Sequence, residues 1–187
     1  MFKDIIKPTL VLIVISVVIS GLLAVTYNLT GVGELATAGL SAEQLTEFQP
    51  QALPGATSLK AAQTSLEESD ILGVYLDEGG NGAAFYVVIQ GYDGELKLLV
   101  GIDPSGAVAG VAAVDASHET PGLGSRVAEK DFLDKFIGKS GGVTVDKDGK
   151  GDVDAIANST ISSKAVGNAV NRALEVYETV KGELSGE

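Results

Sequence analysis

From residue 8 to residue 33 the chain carries no charge, and residues 10–25 are almost wholly aliphatic, interrupted only by Ser16, Ser20 and Gly21. A helix needs about 20 apolar residues to cross the hydrocarbon core of a bilayer. A secretory signal peptide has a shorter apolar core, about 7–15 residues, followed by a small-residue cleavage site. Here the run is longer, and Ala24-Val25-Thr26 and Thr37-Ala38-Gly39 are poor cleavage sites. The expectation is one uncleaved transmembrane helix within residues 1–29. Lys3 and Lys7 precede it, and acidic residues dominate after it. Lys and Arg beside a span stay on the cytoplasmic side. The N-terminus is therefore expected in the cytoplasm and the main domain outside, on a single-pass protein of the cell (inner) membrane.

The 187 residues suffice for such a segment and one domain. The formal net charge is −12. Nucleic-acid binding needs clustered Lys and Arg, so a nucleic-acid partner is not expected. There is no cysteine, which rules out disulfides, thiolate-held iron–sulfur clusters and a cysteine nucleophile. His118 is the only histidine, so a histidine-rich metal site or bis-histidine haem within one chain is also ruled out. Any redox chemistry has to reside on another kind of cofactor.

Residues 30–52 read as a connector. Within it, Ser41-Ala42-Glu43-Gln44 resembles a helix start, opening a short helix through Phe48 that Leu53-Pro54-Gly55-Ala56 breaks. The main domain is expected over residues 53–187. Strands are predicted at 71–76, 83–90, 95–102 and 107–115. The turns between them are Asp77-Glu78-Gly79-Gly80-Asn81-Gly82, Gly91-Tyr92-Asp93-Gly94 and Asp103-Pro104-Ser105-Gly106. Short strands punctuated this way indicate an antiparallel meander. The spacing predicts a helix over 128–136, with Phe132 and Phe136 on one face, and a loop-rich stretch over 138–151. From Ser162 a stripe of Ala165, Val166, Ala169, Val170, Ala173, Leu174, Tyr177 and Val180 predicts a long helix ending near Lys181-Gly182. The fold class is α+β, an antiparallel sheet with helices packed to one side.

Several motifs fail on inspection. Gly122-Leu123-Gly124-Ser125-Arg126-Val127 lacks the third glycine and the βαβ setting of a dinucleotide fingerprint. Asp146-Lys147-Asp148-Gly149-Lys150-Gly151-Asp152 has Lys150 and Ala157 where a calcium loop needs oxygen ligands, so a solvated turn is expected and no metal site. Asn158-Ser159-Thr160 matches a glycosylation acceptor, a pattern with many chance occurrences. His118 and Glu119 would point to opposite faces of a strand, so they are not expected to act as an acid–base pair. His118 reads equally as a surface loop residue and as a donor near a bound anionic ring. No catalytic residue and no independent active site are expected.

Two runs remain. Thr120-Pro121-Gly122-Leu123-Gly124 has to be a rigid bend, since Pro fixes φ and the glycines allow close backbone approach. It reads either as a structural turn or as a loop lying against a flat ligand. Asp154-Ala-Ile-Ala-Asn158-Ser159-Thr160-Ile161-Ser162-Ser-Lys164 places a threonine just before the long helix. Ser and Thr there are commonly caps. A helix N-terminus also receives phosphate well, through free N–H groups and the helix dipole.

Together these runs resemble a known family. His118-Glu119-Thr120-Pro121-Gly122-Leu123-Gly124 is similar to its H-x-E-T-P-G-L-G element, with one spacer residue fewer. Residues 154–163 are similar to its D-A-I-S-G-A-T-x-T-S element. Leu53-Pro54-Gly55-Ala56, Gly91-Tyr92-Asp93-Gly94, Val100-Gly101-Ile102-Asp103 and Ala165-Val166-Gly167-Asn168-Ala169-Val170 match in order, so the resemblance covers nearly the whole chain. The family is that of membrane-anchored flavoproteins carrying FMN on a threonine. It includes the G-type subunit of the Rnf electron-transport complex and the C-type subunit of the sodium-pumping NADH:quinone oxidoreductase, and the compact length is more similar to the Rnf member. The resemblance implies FMN held covalently on Thr160. It implies contacts from Asp154, Asn158, Ser159, Ile161, Ser162 and Lys164, and from His118, Glu119, Thr120, Gly122, Leu123 and Gly124. It implies a flavin transferase for maturation, partner subunits of an Rnf complex, and a relay of electrons between ferredoxin and NAD coupled to ion transport. The chain departs from the pattern at Ala157-Asn158-Ser159, where the family has Ser-Gly-Ala. Asparagine tolerates positive φ best among non-glycine residues, so the backbone is expected to survive. The change makes Ser159 a rival acceptor and motivates a second reading, a flavin-less scaffold subunit.

Overall fold

Turn chemistry and strand alternation decide how the sheet is built. The computed structural model describes residues 9, 12, 13, 15–22, 39–62 and 69–184. The chain divides into a unit Met1–Ala38 and a compact unit Gly39–Glu187. In the first unit, residues 15–22 are helical. Among the described residues no helix is long and apolar enough to cross a membrane. The expected span within residues 1–29 falls largely outside the described residues.

The second unit opens with α1 (Ala42–Ala52), inside the stretch read as connector. It starts where Ser41-Ala42-Glu43-Gln44 resembled a helix start, with a capping box between Ser41 and Gln44, and runs past the expected end at Phe48 to Ala52. Each residue's backbone N–H donates to the other's side chain, at 3.1 and 3.3 Å. Five strands follow: β1 (Leu59–Ala61), β2 (Ile71–Asp77), β3 (Ala83–Gln90), β4 (Glu95–Ile102) and β5 (Val108–Asp115). They form one antiparallel meander in the order β1-β2-β3-β4-β5. The β2–β3 turn is clamped by Asp77, whose carboxylate accepts from the N–H groups of Thr57, Ser58 and Asn81 and from the Asn81 amide at 2.7–3.1 Å. Burial alone would raise the Asp77 carboxyl. The hydrogen bonds from Ser58, Asn81 and Thr57 outweigh it and hold the group far below the usual carboxylate range.

Beyond β5 come a 3-10 turn (Gly124–Ala128), α2 (Lys130–Leu133) and another 3-10 turn (Asp134–Phe136). The single helix expected over 128–136 is thus broken, because Glu129 takes an extended conformation with ψ 137°. Phe132 and Phe136 still meet edge to face at 5.5 Å. The loop-rich stretch contains β6 (Val145–Asp146), which pairs in parallel with β7 (Val153–Asp154). The long helix α3 (Thr160–Leu184) begins two residues ahead of Ser162.

Both sheet faces are covered, which corrects the expectation of helices on one side. Val166, Ala169, Val170 and Ala173 of α3 are fully buried with Phe85, Val87, Leu96, Leu98 and Val100. The opposite side chains, Ala84, Tyr86, Leu99 and Ala112, pack with Leu40, Ala52 and Leu53 at the ends of α1. Gly101 and Gly110, paired across β4 and β5, make the notch for α1. A Cβ on Gly101 would stand 2.0 Å from the Ala52 carbonyl, and one on Gly110 2.1 Å from that of Gln51.

Candidate functional site

Three chain segments converge at the N-terminus of α3. The first is the bend after β5. Leu123 N–H donates to the Thr120 carbonyl at 3.1 Å, and Gly122 sits at φ 75°. Pro at the second position and a left-handed glycine at the third make a type II turn, the rigid bend anticipated from the sequence. The second segment leads into α3. Ser159 N–H donates to the Ile156 carbonyl at 2.9 Å, with Asn158 at φ 65°. Asparagine therefore occupies the left-handed position where the family pattern has glycine, as its tolerance of that region predicted. Ser163 stitches this turn to the helix: its hydroxyl donates to the Ser159 carbonyl at 2.8 Å and accepts from Ile156 N–H at 3.0 Å. The third segment is the Gly91–Gly94 turn, closed by Gly91 N–H to the Gly94 carbonyl at 2.8 Å.

Glu119 joins all three. It is buried, and its Oε1 accepts from Tyr92 N–H at 2.8 Å while Oε2 accepts from the Ser162 hydroxyl at 2.7 Å. Around it lies an open cleft of about 320 Å³ lined by Tyr92, Glu119, Thr120, Leu123, Gly124, Lys147, Asn158, Ser159, Thr160, Ile161 and Ser162. Small-ligand sites run from about 300 to 1,000 Å³. Tyr92, Leu123 and Ile161 are exposed at 66, 46 and 57 %. Within the compact unit's described residues, only Ile137 is another exposed large apolar side chain. The apolar surface left open is thus concentrated at this cleft.

The structure brings together nine of the thirteen residues singled out in the sequence and leaves four aside. His118 is exposed, with its Cβ against Gly94. Gly122 is exposed at the tip of the bend. Asp154 accepts from Gly149 N–H at 2.8 Å, bracing the 146–154 loop. Lys164 faces Asp146 at 3.5 Å beside a neighbouring groove. The Asp146 carboxyl is held below its ordinary range, first by the Lys147 N–H and then by the Lys164 ammonium. Sequence reasoning missed Tyr92 and Lys147 as lining residues. Tyr92 carried a signal, an aromatic between two turn glycines, whereas Lys147 was read as part of a solvated turn.

The comparisons with known proteins bear on the site region and on the whole chain. Residues 91–175, which span all three segments, match the FMN-binding domain family. Over nearly its full length the chain is also similar to members of larger complexes. It is 31% identical to the G-type subunit of the Na(+)-translocating ferredoxin:NAD(+) oxidoreductase complex of Acetobacterium woodii, covering 96% of this chain and 94% of that one. It is 32% identical to the G-type subunit of the ion-translocating oxidoreductase complex of Methanosarcina acetivorans, covering 96% and 98%. The chain belongs to the family of G-type subunits of ion-translocating oxidoreductase complexes. Among solved structures it is similar to the C-type subunit of the Na(+)-translocating NADH-quinone reductase of Parabacteroides distasonis, with a TM-score of 0.49 and 20% identity over 74% of this chain and 96% of that one.

Proposed function

We propose that this chain is a membrane-anchored electron-transfer subunit of an ion-translocating ferredoxin:NAD oxidoreductase complex, carrying FMN as a phosphoester on Thr160. The observation that carries the reading is the cleft at the start of α3. Ser159 stands just ahead of the helix, yet its buried hydroxyl has no partner. The first N–H groups of a helix lack intrahelical acceptors, and no bond from the Ser159 side chain covers them here. An anionic group at that point gains from those donors and from the helix dipole. Lys147 lines the same cleft and supplies a positive charge. These residues fit a phosphate-linked cofactor.

Each side chain has a part to play. Thr160, half-buried in the cleft wall, offers the hydroxyl oxygen for the ester. Ser159 is buried at 5 % exposure, so a modifying enzyme reaches Thr160 more readily. Asn158 turns the chain so that the threonine enters at the helix end. Tyr92, Leu123 and Ile161 offer apolar surface for a flat ring and exclude water from one side of it. Bound FMN supplies the electron chemistry, and the protein supplies position and tuning. The apolar stretch of residues 10–25 anchors the chain in the membrane with the domain outside the cytoplasm. A flavin transferase matures it: the Thr160 oxygen bonds to the flavin-side phosphorus of a flavin pyrophosphate donor, the anhydride P–O bond breaks to release the other phosphate with its substituent, and the hydroxyl proton passes to solvent. Neighbouring subunits then deliver and withdraw electrons.

The test is Thr160→Ala, co-expressed with a flavin transferase. The wild-type band should fluoresce after denaturation, the variant band should be dark, and the peptide spanning residues 154–164 should carry the mass of esterified FMN only in the wild type. Flavin that survives denaturation in the variant moves the attachment elsewhere. A dark wild-type band favours a flavin-less scaffold subunit.

A further inference from the structure

Buried carboxylates are costly unless their oxygens are hydrogen-bonded. The described residues contain two, Asp77 and Glu119. Asp77 closes its own turn through Asn81 and ties it to Thr57 and Ser58, 20 and 19 residues before it. Glu119 reaches further: Tyr92 lies 27 residues before it and Ser162 lies 43 residues after it. Its partners belong to separate walls of the cleft, and Ser162 shares the first turn of α3 with Thr160.

Two glycines are reserved for this side chain. A Cβ on Gly91 would stand 2.1 Å from Glu119 Oε1, and a Cβ on Gly124 2.1 Å from Oε2. Neither glycine has a positive φ. Both backbones are open to any residue, so what these positions need is space, and the nearest atom in that space is in each case a Glu119 carboxylate oxygen, ahead of the Gly94 carbonyl at 3.1 Å from a Cβ on Gly91.

We infer that Glu119 is the positioning residue of this site, a buried clasp that holds the Tyr92 turn, the Thr120–Gly124 bend and the first turn of α3 at the spacing that presents Thr160. Its function is reach, with two accepted hydrogen bonds, and not proton transfer. The inference rests on the reading of Thr160 as the flavin-bearing residue. Glutamine has the same reach. Its oxygen accepts from Tyr92 N–H and its amide donates to the Ser162 hydroxyl, which can also accept. Aspartate keeps the charge and is one methylene too short to span both partners.

The test measures the initial rate of flavin attachment to the full membrane-embedded chain, per folded molecule. Glu119→Ala and Glu119→Asp should each slow it by on the order of 100-fold, the scale of an ångström-sized misplacement. Glu119→Gln should rescue it to within about tenfold of wild type, the cost left to an imperfect donor geometry. Ser162→Ala, which removes one arm only, should fall between. Aspartate outperforming glutamine overturns the clasp, because charge would then matter and reach would not. A second measurement uses no flavin. Gly124→Ala should lower the melting temperature in the wild-type background and lower it much less in Glu119→Ala, where the obstructing carboxylate is gone and only the residue-119 Cβ, 3.2 Å away, remains close. An equal drop in both backgrounds overturns the inference. A wild-type chain that takes no flavin sinks the assigned function, while the melting cycle still decides the clasp.

Discussion

Asn158 holds φ at 65°, a region that costs ordinary L-residues about 1–2 kcal/mol. Asparagine lowers that penalty and glycine removes it. Asn158→Gly should therefore leave stability within about 0.5 kcal/mol of wild type, whereas Asn158→Val should lose about 1–2 kcal/mol in urea unfolding. Equal losses would mean the turn re-forms with another backbone. At this scale much of the site was legible. Thr160 and the Thr120–Gly124 bend stood out because Pro, Gly and small hydroxyl residues have narrow backbone roles. Glu119 was not legible as a clasp. A carboxylate in a loop reads as solvated until the fold supplies its donors, and the flanking cue, Gly91 and Gly124, lies on segments that only folding brings together. His118 and Lys164 show the converse. Both sit in the right motifs, yet one side chain is exposed and the other faces Asp146.

The four principal strands and α3 follow from local rules. Gly- and Asp-rich turns every few residues force hairpins, and the aliphatic stripe of α3 needs a sheet to cover. The packing of α1 does not follow, because its own sequence is mostly polar and meets the sheet chiefly through Ala52, Leu53 and Leu40. The decisive feature is the cross-strand glycine pair. Gly101→Ala places a methyl 2.0 Å from the Ala52 carbonyl. The variant should lose about 1–3 kcal/mol through overpacking. Hydrogen exchange should rise over residues 42–52 before it rises in α3. Uniform acceleration across the domain would show that α1 is not the element displaced. Over 128–136 the helical periodicity is real, but the extended backbone at Glu129 delays the helix to Lys130 while both phenylalanines stay packed together.

For the molecule as a whole, the compact unit from Gly39 to Glu187 carries the sheet, both helical layers and the cleft. The aliphatic run before it is expected to hold the chain at the membrane. The full chain should stay with the membrane fraction after alkaline extraction, and removal of residues 1–38 should release a folded domain into the soluble fraction. A full chain that washes off would refute the anchor. By itself the sequence determined the family, the antiparallel meander, the long helix and the threonine at its start. All of these depend on residue chemistry repeated or juxtaposed within a few positions. Only the tertiary structure decided that a second helix closes the other face of the sheet and that one buried carboxylate ties three distant segments into a cleft. Those contacts join residues tens of positions apart, and no local pattern encodes which distant donor a side chain will meet.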